Sequence, residues 1–312
     1  MNNRLVVSLG GNAFAPAGES MTMLGQFEFA ANTLAPLAAT LGTGQELLIT
    51  HGNGPQVGYI LTRVEAALGK AYALPLEVCV AESEGEIGYV LQQTMRNLLH
   101  GRRPVATLLT QVVVAKDDVA FARATKPIGP WFDAEHAAVL DQAGMDLVYD
   151  EQGRARRVVP SPRPTQIVEL EIIRQLLAQG IIVIAAGGGG IPVLQQGDKL
   201  GGVEAVVDKD LSSALLAIGC EAERFVMVTN VPGVYTDYGG ANARLISHTR
   251  PSELRTWSAA GHFPAGTMGP KVEAAIQYVE ATGKPAVICQ PDDLGAALVG
   301  RAGTVVTMEQ HV

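Results

Sequence analysis

Short apolar runs, each ending in glycine, asparagine or another small polar residue, constrain the fold of this chain most strongly. They are rich in Val, Ile and Leu, have the length of a strand, and show no regular alternation of apolar and polar residues. Strands buried on both faces of a parallel sheet have this pattern, because helices cover both faces. The runs are Leu5–Leu9, Leu47–Thr50, Val105–Val114, Ile181–Ala186, Phe225–Thr229 and Ala286–Cys289.

Helical patterns lie between these runs. Apolar residues recur at the spacing of one helix face after Asp208 and again after Pro270. They are Leu211, Ala214, Leu215 and Ile218 in the first segment, and Val272, Ala275, Ile276 and Val279 in the second. The order strand, loop, helix, strand predicts a doubly wound α/β sheet, in which ligands bind outside the carboxyl ends of the strands.

The segment from about Lys116 to Pro164 departs from this order and carries many charged residues and prolines. Its composition allows two interpretations, an inserted lid subdomain or an ordinary surface excursion. We expect it to interrupt the α/β order in either case.

Composition excludes several classes of protein. The net charge of −8 disfavours long-range attraction to nucleic acid or to an anionic membrane. The three cysteines, Cys79, Cys220 and Cys289, are far apart and lack metal-ligand spacing, which predicts buried thiols in a reducing compartment. We expect no signal peptide and no membrane span, and therefore a cytoplasmic enzyme that binds neither nucleic acid nor membrane.

Three glycine-rich motifs follow predicted strands. They are Gly10-Gly11-Asn12, His51-Gly52-Asn53-Gly54-Pro55, and Gly187-Gly188-Gly189 with Gly190. Glycine allows a backbone to approach a ligand closely, and the helix that follows offers free N–H groups to an anion. Each motif alone is explained as well by a plain turn, and His51 by packing. Three such motifs together favour a shared phosphate or carboxylate site.

Two lysines occupy positions that are locally unfavourable. Lys209, within Asp208-Lys209-Asp210, and Lys271, after Gly269-Pro270, both lie where a helix is predicted to begin. A helix N-terminus carries partial positive charge, so a cation there is disfavoured. Either lysine alone is explained by solvation. The pair, with the glycine motifs, predicts an anion-binding site.

With these motifs in place, the chain resembles the carbamate kinases of the amino-acid-kinase fold along essentially its whole length. Seven segments in the order of that family carry the resemblance. They are SLGGNA (Ser8–Ala13), THGNGPQVG (Thr50–Gly58), TKPIGP (Thr125–Pro130), RRVVPSPRP (Arg156–Pro164), GGGGIPV (Gly187–Val193), GVEAVVDKDL (Gly202–Leu211) and GTMGPKVEAAI (Gly266–Ile276).

The resemblance implies an αβα sandwich around a mainly parallel, doubly wound sheet with an inserted lid subdomain. Residues 1–312 would form one domain, with a substrate-binding part at 1–180, a lid at about 116–164 and a nucleotide-binding part at 181–312. Lys209 and Lys271 would hold the phosphoryl group, Asp208 would orient them, and the lid would carry Lys126. The residues implied to contact substrate or phosphate are Gly10, Gly11, Asn12, Gly52, Asn53, Gly187, Gly188 and Gly189, and those implied for the nucleotide are Thr229, Tyr235 and Met268.

The implied reaction is reversible phosphoryl transfer between carbamoyl phosphate and ADP, with Mg²⁺ neutralising the phosphates of ADP or ATP. The resemblance also implies a homodimer and a role in arginine or nitrogen catabolism. Two alternatives remain open: a related kinase activity on another small carboxylate, and a catalytically weak paralogue that only binds nucleotide or carbamoyl phosphate.

One segment departs from the family. Ala81–Tyr89 reads AESEGEIGY, where AMSQGMIGY is common, so that Glu82, Glu84 and Glu86 replace uncharged residues. On a helix, Glu82 and Glu86 share a face and Glu84 points elsewhere. That face is interpreted as solvated or, alternatively, as bordering a subunit contact with Arg96, Arg102 or Arg103.

Overall fold

A computed structural model describes residues 3–10, 22–42, 44–67, 69–142, 144–264 and 266–308 of the chain. The predicted site residues Gly11 and Asn12 therefore lie outside the described residues.

The strands in chain order are β1 (Arg4–Leu9), β2 (Glu46–His51), β3 (Val105–Thr107), β4 (Gln111–Val114), β5 (Lys126–Pro127), β6 (Leu147–Tyr149), β7 (Ala155–Val159), β8 (Pro164–Ile167), β9 (Ile182–Ile184), β10 (Ile191–Gln196), β11 (Lys199–Gly202), β12 (Arg224–Val228), β13 (Val234–Thr236), β14 (Arg244–Ile246), β15 (His248–Thr249), β16 (Ala286–Cys289) and β17 (Thr304–Val306). The helices are α1 (Met23–Thr40), α2 (Gly54–Ala66), α3 (Leu76–Leu98), α4 (Ala134–Gln142), α5 (Leu170–Ala178), α6 (Lys209–Gly219), α7 (Pro251–Ala259), α8 (Met268–Thr282) and α9 (Leu294–Ala297).

The main sheet has the strand order β15-β17-β16-β12-β1-β2-β9-β3 and is parallel except where β16 meets β17. Successive residues of β1 point to two different apolar clusters, because side chains alternate across a strand. Val6 packs with residues of α5, α6 and α8, whereas Leu5 and Val7 pack with residues of α1 and α3. Helices therefore cover both faces, and the predicted αβα sandwich is confirmed.

Several local predictions are confirmed and two are corrected. The strands β1, β2, β9, β12 and β16 lie where the apolar runs predicted them, and the apolar face predicted for α8 is buried. The helix α6 forms as predicted, although Leu211, Leu215 and Ile218 are only partly buried. The α8 helix begins at Met268, two residues before Pro270. All three cysteines are free and buried, as expected.

The run Val105–Val114 was predicted as one strand, and this prediction is wrong. Its first part, β3, joins the main sheet, and its second part, β4, pairs with β8 and β10 in a separate sheet of order β11-β10-β4-β8. The chain leaves the main sheet at Thr110, whose backbone N–H donates to the Glu84 carboxylate instead of to a strand. A side-chain acceptor from α3 thus interrupts a sequence that is otherwise typical of a strand.

The segment 116–164 leaves the fold after β4 and returns as β8, which pairs antiparallel with β4. It contains α4 and a three-stranded sheet of order β5-β7-β6. It contacts α2 closely, since a Cβ at Gly58 would lie 2.0 Å from the Cα of Gly129. The segment thus has a sheet of its own, as an inserted subdomain would. Its movement as a lid, and the division at residue 180, stay predictions.

The three glutamates of α3 have different surroundings. Glu82 is exposed, whereas Glu86 is half-buried and accepts a hydrogen bond from Gln26 Nε2 at 3.1 Å. Glu84 is only 1% exposed, so the helix buries this carboxyl group, for which the sequence predicts only that it points away from Glu82 and Glu86.

Within the described residues, no helix has the length and apolar character needed to cross a membrane.

Candidate active site

The site lies at the carboxyl ends of β1, β2 and β12, where the strand termini are linked to one another. The backbone N–H of Gly10 donates to Val228 O at 3.0 Å, and that of Gly52 donates to Leu9 O at 3.1 Å. A Cβ at Gly10 would lie 2.9 Å from Val228 O, so any larger residue would push the loop away from β12. Gly10 therefore allows the loop after β1 to lie close to β12, and the bond from Gly52 holds the loop after β2 at the same edge of the sheet.

The turn formed by residues 186–190, called here the glycine turn, follows β9 and is buried. Gly188 has φ +66° and Gly189 has φ +102°, a backbone region that glycine adopts without strain. Added Cβ atoms would lie 2.1 Å from the Asn53 side chain and 2.3 Å from Val207 O, respectively. Glycine is needed here so that Asn53 and the start of α6 can approach the turn. The predicted contact of Gly187, Gly188 and Gly189 with phosphate stays a prediction.

The two lysines singled out by the sequence meet at one carboxylate. Lys209 Nζ lies 2.7 Å from Asp210 Oδ1, and Lys271 Nζ lies 3.0 Å from Asp210 Oδ2. The lysine side chains are 11% and 12% exposed, and that of Asp210 is 4% exposed. Two ammonium groups share one carboxylate, so the group of three carries a net charge of +1. This arrangement can bind an anion.

The carboxylate of Asp208 bonds to groups other than the ammonium groups of Lys209 and Lys271, and its role in orienting them stays a prediction. Its Oδ1 accepts from the backbone N–H of Asp210 at 2.9 Å, which caps the N-terminus of α6. Its Oδ2 pairs with Lys126 Nζ at 2.6 Å. Asp208 therefore joins the inserted segment, through Lys126, to the helix that carries Lys209, whereas the carboxylate that contacts both lysines is that of Asp210.

Buried hydroxyl groups hold Lys209 in place through hydrogen bonds. Lys209 Nζ donates to Ser8 Oγ at 3.0 Å, and Ser213 Oγ lies 2.6 Å from Thr50 Oγ1 and donates to Lys209 O at 2.6 Å. Ser8, Thr50 and Ser213 are buried on β1, β2 and α6. Through these contacts, two strands and one helix fix the position of the ammonium group.

Burial and neighbouring charges oppose each other in this group. Burial alone would raise the pKa of Asp210, but Lys209 and Lys271 hold its pKa well below the ordinary aspartate value. Burial lowers the pKa of Lys209, an effect that Asp210 opposes and Lys271 reinforces. The carboxylate is thus ionised throughout the physiological range.

His51 does not have the properties of a catalytic base. It is buried at the end of β2, and its Nδ1 lies 3.1 Å from Gly52 O. Burial lowers the pKa of His51 to about 4, which a hydrogen bond to Gly52 only partly offsets. A base so weak is protonated only in acid, and the packing interpretation of His51 fits this geometry.

A cavity of about 450 Å³ opens beside the lysines. Its volume is in the range of small-molecule sites. Gly10, Lys209 and Lys271 line one end. The predicted nucleotide residues Thr229, Tyr235 and Met268 line the cavity too, together with Asn230, Val231, Tyr238, His262, Pro264, Gly266 and Thr267.

The described residues offer no resident metal centre, since no three His, Cys, Asp or Glu side chains among them are arranged to hold a metal ion. The carboxylates of Asp208 and Asp210 are already paired with lysines.

Sequence reasoning missed Asp210, Ser8 and Ser213. Asp210 is adjacent to Lys209 in the motif Asp208-Lys209-Asp210, and no local sequence rule distinguishes it from Asp208, because both aspartates suit the start of a helix. The two hydroxyls gave no signal, because serine at a strand end or within a helix is usual on its own.

Comparison with known proteins identifies relatives of this chain. The amino acid kinase family matches residues 3–290. The carbamate kinase of Pyrococcus horikoshii is 42% identical over 98% of this chain and 100% of its own length. The carbamate kinase of Rhizobium meliloti is 43% identical over 97% and 93%, respectively. The structure of a carbamate kinase from Giardia lamblia bound to AMP-PNP is 36% identical, covers 98% of each chain and superposes with a TM-score of 0.91. The chain therefore belongs to the amino acid kinase family and, within it, to the carbamate kinases.

Proposed function

We propose that this kinase transfers a phosphoryl group reversibly between carbamoyl phosphate and ADP. The bond from phosphorus to the carbamoyl oxygen breaks, a bond from phosphorus to a β-phosphate oxygen of ADP forms, and ATP and carbamate are released. The observation that carries this proposal is the group Lys209, Asp210 and Lys271 at one end of a nucleotide-sized cavity. The curated carbamate kinases that resemble the whole chain support it.

The charge distribution suits this chemistry. In phosphoryl transfer the negative charge spreads over the transferred oxygens, and the protein acts mainly by positioning groups and stabilising charge. Lys209 and Lys271, held in place by Asp210, offer two ammonium groups that need no reorganisation during the reaction. Carbamate is already an anion, so the reaction needs no general base, and the low pKa of His51 is no obstacle.

The cavity would hold the nucleotide, with its phosphates toward the lysines and its remaining part among Thr229, Tyr235 and Met268. Mg²⁺ would enter as part of the nucleotide substrate, bound by phosphate oxygens and water, as Mg²⁺ usually is in kinases. Gly10 lines the cavity together with the lysines, whereas Gly52 and Asn53 follow β2 next to the end of β1, and these three residues would contact carbamoyl phosphate. Gly11 and Asn12 share this proposed role.

The test is ATP formation from ADP, Mg²⁺ and carbamoyl phosphate, followed through a coupled enzyme. We expect saturable turnover that requires all three components. Turnover with acetyl phosphate or another acyl phosphate but not with carbamoyl phosphate would favour the related kinase activity. Binding of nucleotide in calorimetry without turnover of either phosphate would favour the binding paralogue and contradict the proposal.

The inserted segment 116–164 is proposed to close over the phosphoryl site. It contacts the site through the pair Lys126–Asp208, whose lysine is 32% exposed and so has access to solvent. Binding of ADP with a carbamoyl phosphate analogue should therefore slow amide hydrogen exchange within 116–164. The helix α5, on the opposite side of the sandwich from α3, serves as an internal control. Protection that is unchanged by ligand would contradict closure.

The homodimer, the contact of Glu82 and Glu86 with Arg96, Arg102 or Arg103 across it, the cytoplasmic location and the role in arginine or nitrogen catabolism also remain proposals. Sedimentation velocity at graded salt concentration would test the dimer. Within one chain, Arg103 donates to Gly180 O at 3.0 Å and Arg102 donates to Leu99 O at 3.0 Å.

A further inference from the structure

Glu84 is a buried carboxyl group that the proposed reaction does not use. It lies in the first half of α3 and is 1% exposed. A buried ionised carboxylate is costly unless cations or several donors surround it, because the interior solvates charge poorly.

One oxygen of Glu84 is satisfied and the other is not. Oε2 accepts a hydrogen bond from the backbone N–H of Thr110 at 2.8 Å. Oε1 has no hydrogen-bond partner among the described residues, although the backbone N–H of Gly187 lies near enough to the carboxyl group to favour its ionised form. Such an environment favours the protonated carboxyl over the carboxylate.

The charged and titratable neighbours also disfavour ionisation. From the segment that precedes α5, Glu169 contributes negative charge. From β2, His51 approaches the same side of the turn, since a Cβ at Gly187 would lie 2.5 Å from His51 Nε2 and 3.0 Å from Glu84 Cγ. His51 is neutral at physiological pH. Burial, and after it Glu169, raises the pKa of Glu84 well above its ordinary value, against the opposing bonds from Thr110 and Gly187.

The contacts of Glu84 lead directly to the glycine turn. Thr110 Oγ1 donates to Leu108 O at 2.9 Å and accepts from the backbone N–H of Ala186 at 2.8 Å. Ala186 has φ 49° and ψ 44°, a left-handed conformation that is strained for a residue with a Cβ. Glu84 and Thr110 together therefore hold the start of the turn in a conformation that the chain would not adopt by itself.

The glycine turn also contacts two residues next to the site. Gly188 packs directly under the Asn53 side chain, and Ser212 Oγ of α6 donates to Gly189 O at 2.7 Å. A shift of the turn would thus move Asn53 on one side. On the other side it would move the N-terminus of α6, which carries Lys209.

We propose that Glu84 is a positioning residue for phosphoryl transfer, which holds the glycine turn in place as a neutral carboxyl and slows the reaction when it ionises. The inference rests on the proposed function and adds to it a pH dependence that arises outside the lysine group. An ionised Glu84 would repel Glu169 and draw the N–H of Gly187 toward its carboxylate, which displaces the turn beneath Asn53.

The effect on stability has a definite sign. Below the ordinary glutamate pKa, both the folded and the unfolded chain hold the proton, and Glu84 costs nothing. As the pH rises from that value to the raised pKa, the unfolded chain releases the proton first, so the folded state loses stability progressively. Glu84→Gln keeps the shape of the neutral carboxyl and removes this loss. The variant should therefore become more stable than the wild type as the pH rises.

The experiment compares the wild type with Glu84→Gln and Glu84→Ala from pH 6 to pH 9, and uses Glu82→Gln, an exposed glutamate of the same helix, as the matched control. We measure kcat/KM for carbamoyl phosphate and the urea midpoint of unfolding at each pH. The ratio of kcat/KM between Glu84→Gln and wild type should be near one at pH 6. It should rise by up to about tenfold per pH unit once Glu84 ionises. Loss of protons from Lys209 affects both proteins and cancels in this ratio.

Glu84→Ala should lower kcat/KM by about tenfold or more at every pH, since the turn loses its support. The inference is overturned if the ratio stays constant with pH, or if Glu84→Ala has wild-type kcat/KM. Should Glu84→Ala not fold, the Glu84→Gln ratio and the urea midpoints still decide. Activity of the wild type at pH 6 in the same assay tests the proposed function separately, and the urea midpoints do not depend on it.

Discussion

Lys209→Ala is expected to lower kcat by about 10²–10³-fold, which is typical for the loss of one preorganised charge contact to a transition state. Lys209 is held by Asp210 and Ser8 and is almost completely buried. No neighbouring cation can move into its place without breaking those contacts. Lys271→Ala should have an effect of the same order, because its ammonium group binds the other oxygen of Asp210.

The measurement is kcat under saturating ADP, Mg²⁺ and carbamoyl phosphate, together with the urea midpoint of each variant. Lys199→Ala provides the matched control, since Lys199 is an exposed lysine of β11. Both site variants should remain folded, because each leaves Asp210 paired with the other lysine. A kcat within threefold of the wild type would remove that lysine from the mechanism.

Much of the sheet could be predicted because its strands are buried on both faces. Such strands form wherever the sequence is rich in Val, Ile and Leu, and β1, β2 and β16 lie where these runs predict them. The break within Val105–Val114 could not be found in the same way. It depends on a hydrogen bond from Thr110 to Glu84, two residues that are distant in sequence.

The sequence does contain a signal for the burial of Glu84, but the spacing of the three glutamates does not reveal it. That spacing places Glu82 and Glu86 on one face of the helix and does not define the surroundings of Glu84. The wider pattern Val80, Glu84, Ile87, Leu91 has the spacing of one apolar stripe, and the apolar members of this stripe are fully buried. A carboxyl at such a position predicts a buried, perturbed group.

The two lysines of the site could be predicted from the sequence, but the carboxylate that lies between them could not. Lysines at helix N-termini violate the expected electrostatics, and this drew attention to Lys209 and Lys271. Asp208 and Asp210 both suit the first turn of a helix, so local rules could not distinguish them. Only the arrangement of α6 against α8 shows that Asp210 faces Lys271 and that Asp208 faces Lys126.

The variant Asp210→Asn is expected to have the largest combined effect, since it keeps the shape of the side chain but removes its charge. Lys209 and Lys271 would then repel each other in a buried site with no carboxylate between them. Breaking a buried ion pair from one side typically costs about 3–5 kcal/mol of folding stability. Turnover should fall by about 10²–10³-fold as well, because neither ammonium group keeps its preorganised position.

The design of the Asp210→Asn experiment uses the second carboxylate of the motif. Asp208→Asn removes the charge that pairs with the partly exposed Lys126 but keeps a side-chain oxygen that can cap α6, so we expect a loss of only about 1 kcal/mol. Chemical denaturation of both variants measures this difference in stability.

Lys209→Met added to Asp210→Asn should recover part of the lost stability, since it removes the repulsion between the two lysines. The double-mutant cycle gives the coupling energy between positions 209 and 210. Added ATP should raise the unfolding midpoint of Asp210→Asn more than that of the wild type, because phosphate oxygens replace the missing negative charge. An Asp210→Asn protein as stable as Asp208→Asn, with additive effects of the Lys209 change, would show that Asp210 does not hold the two lysines together.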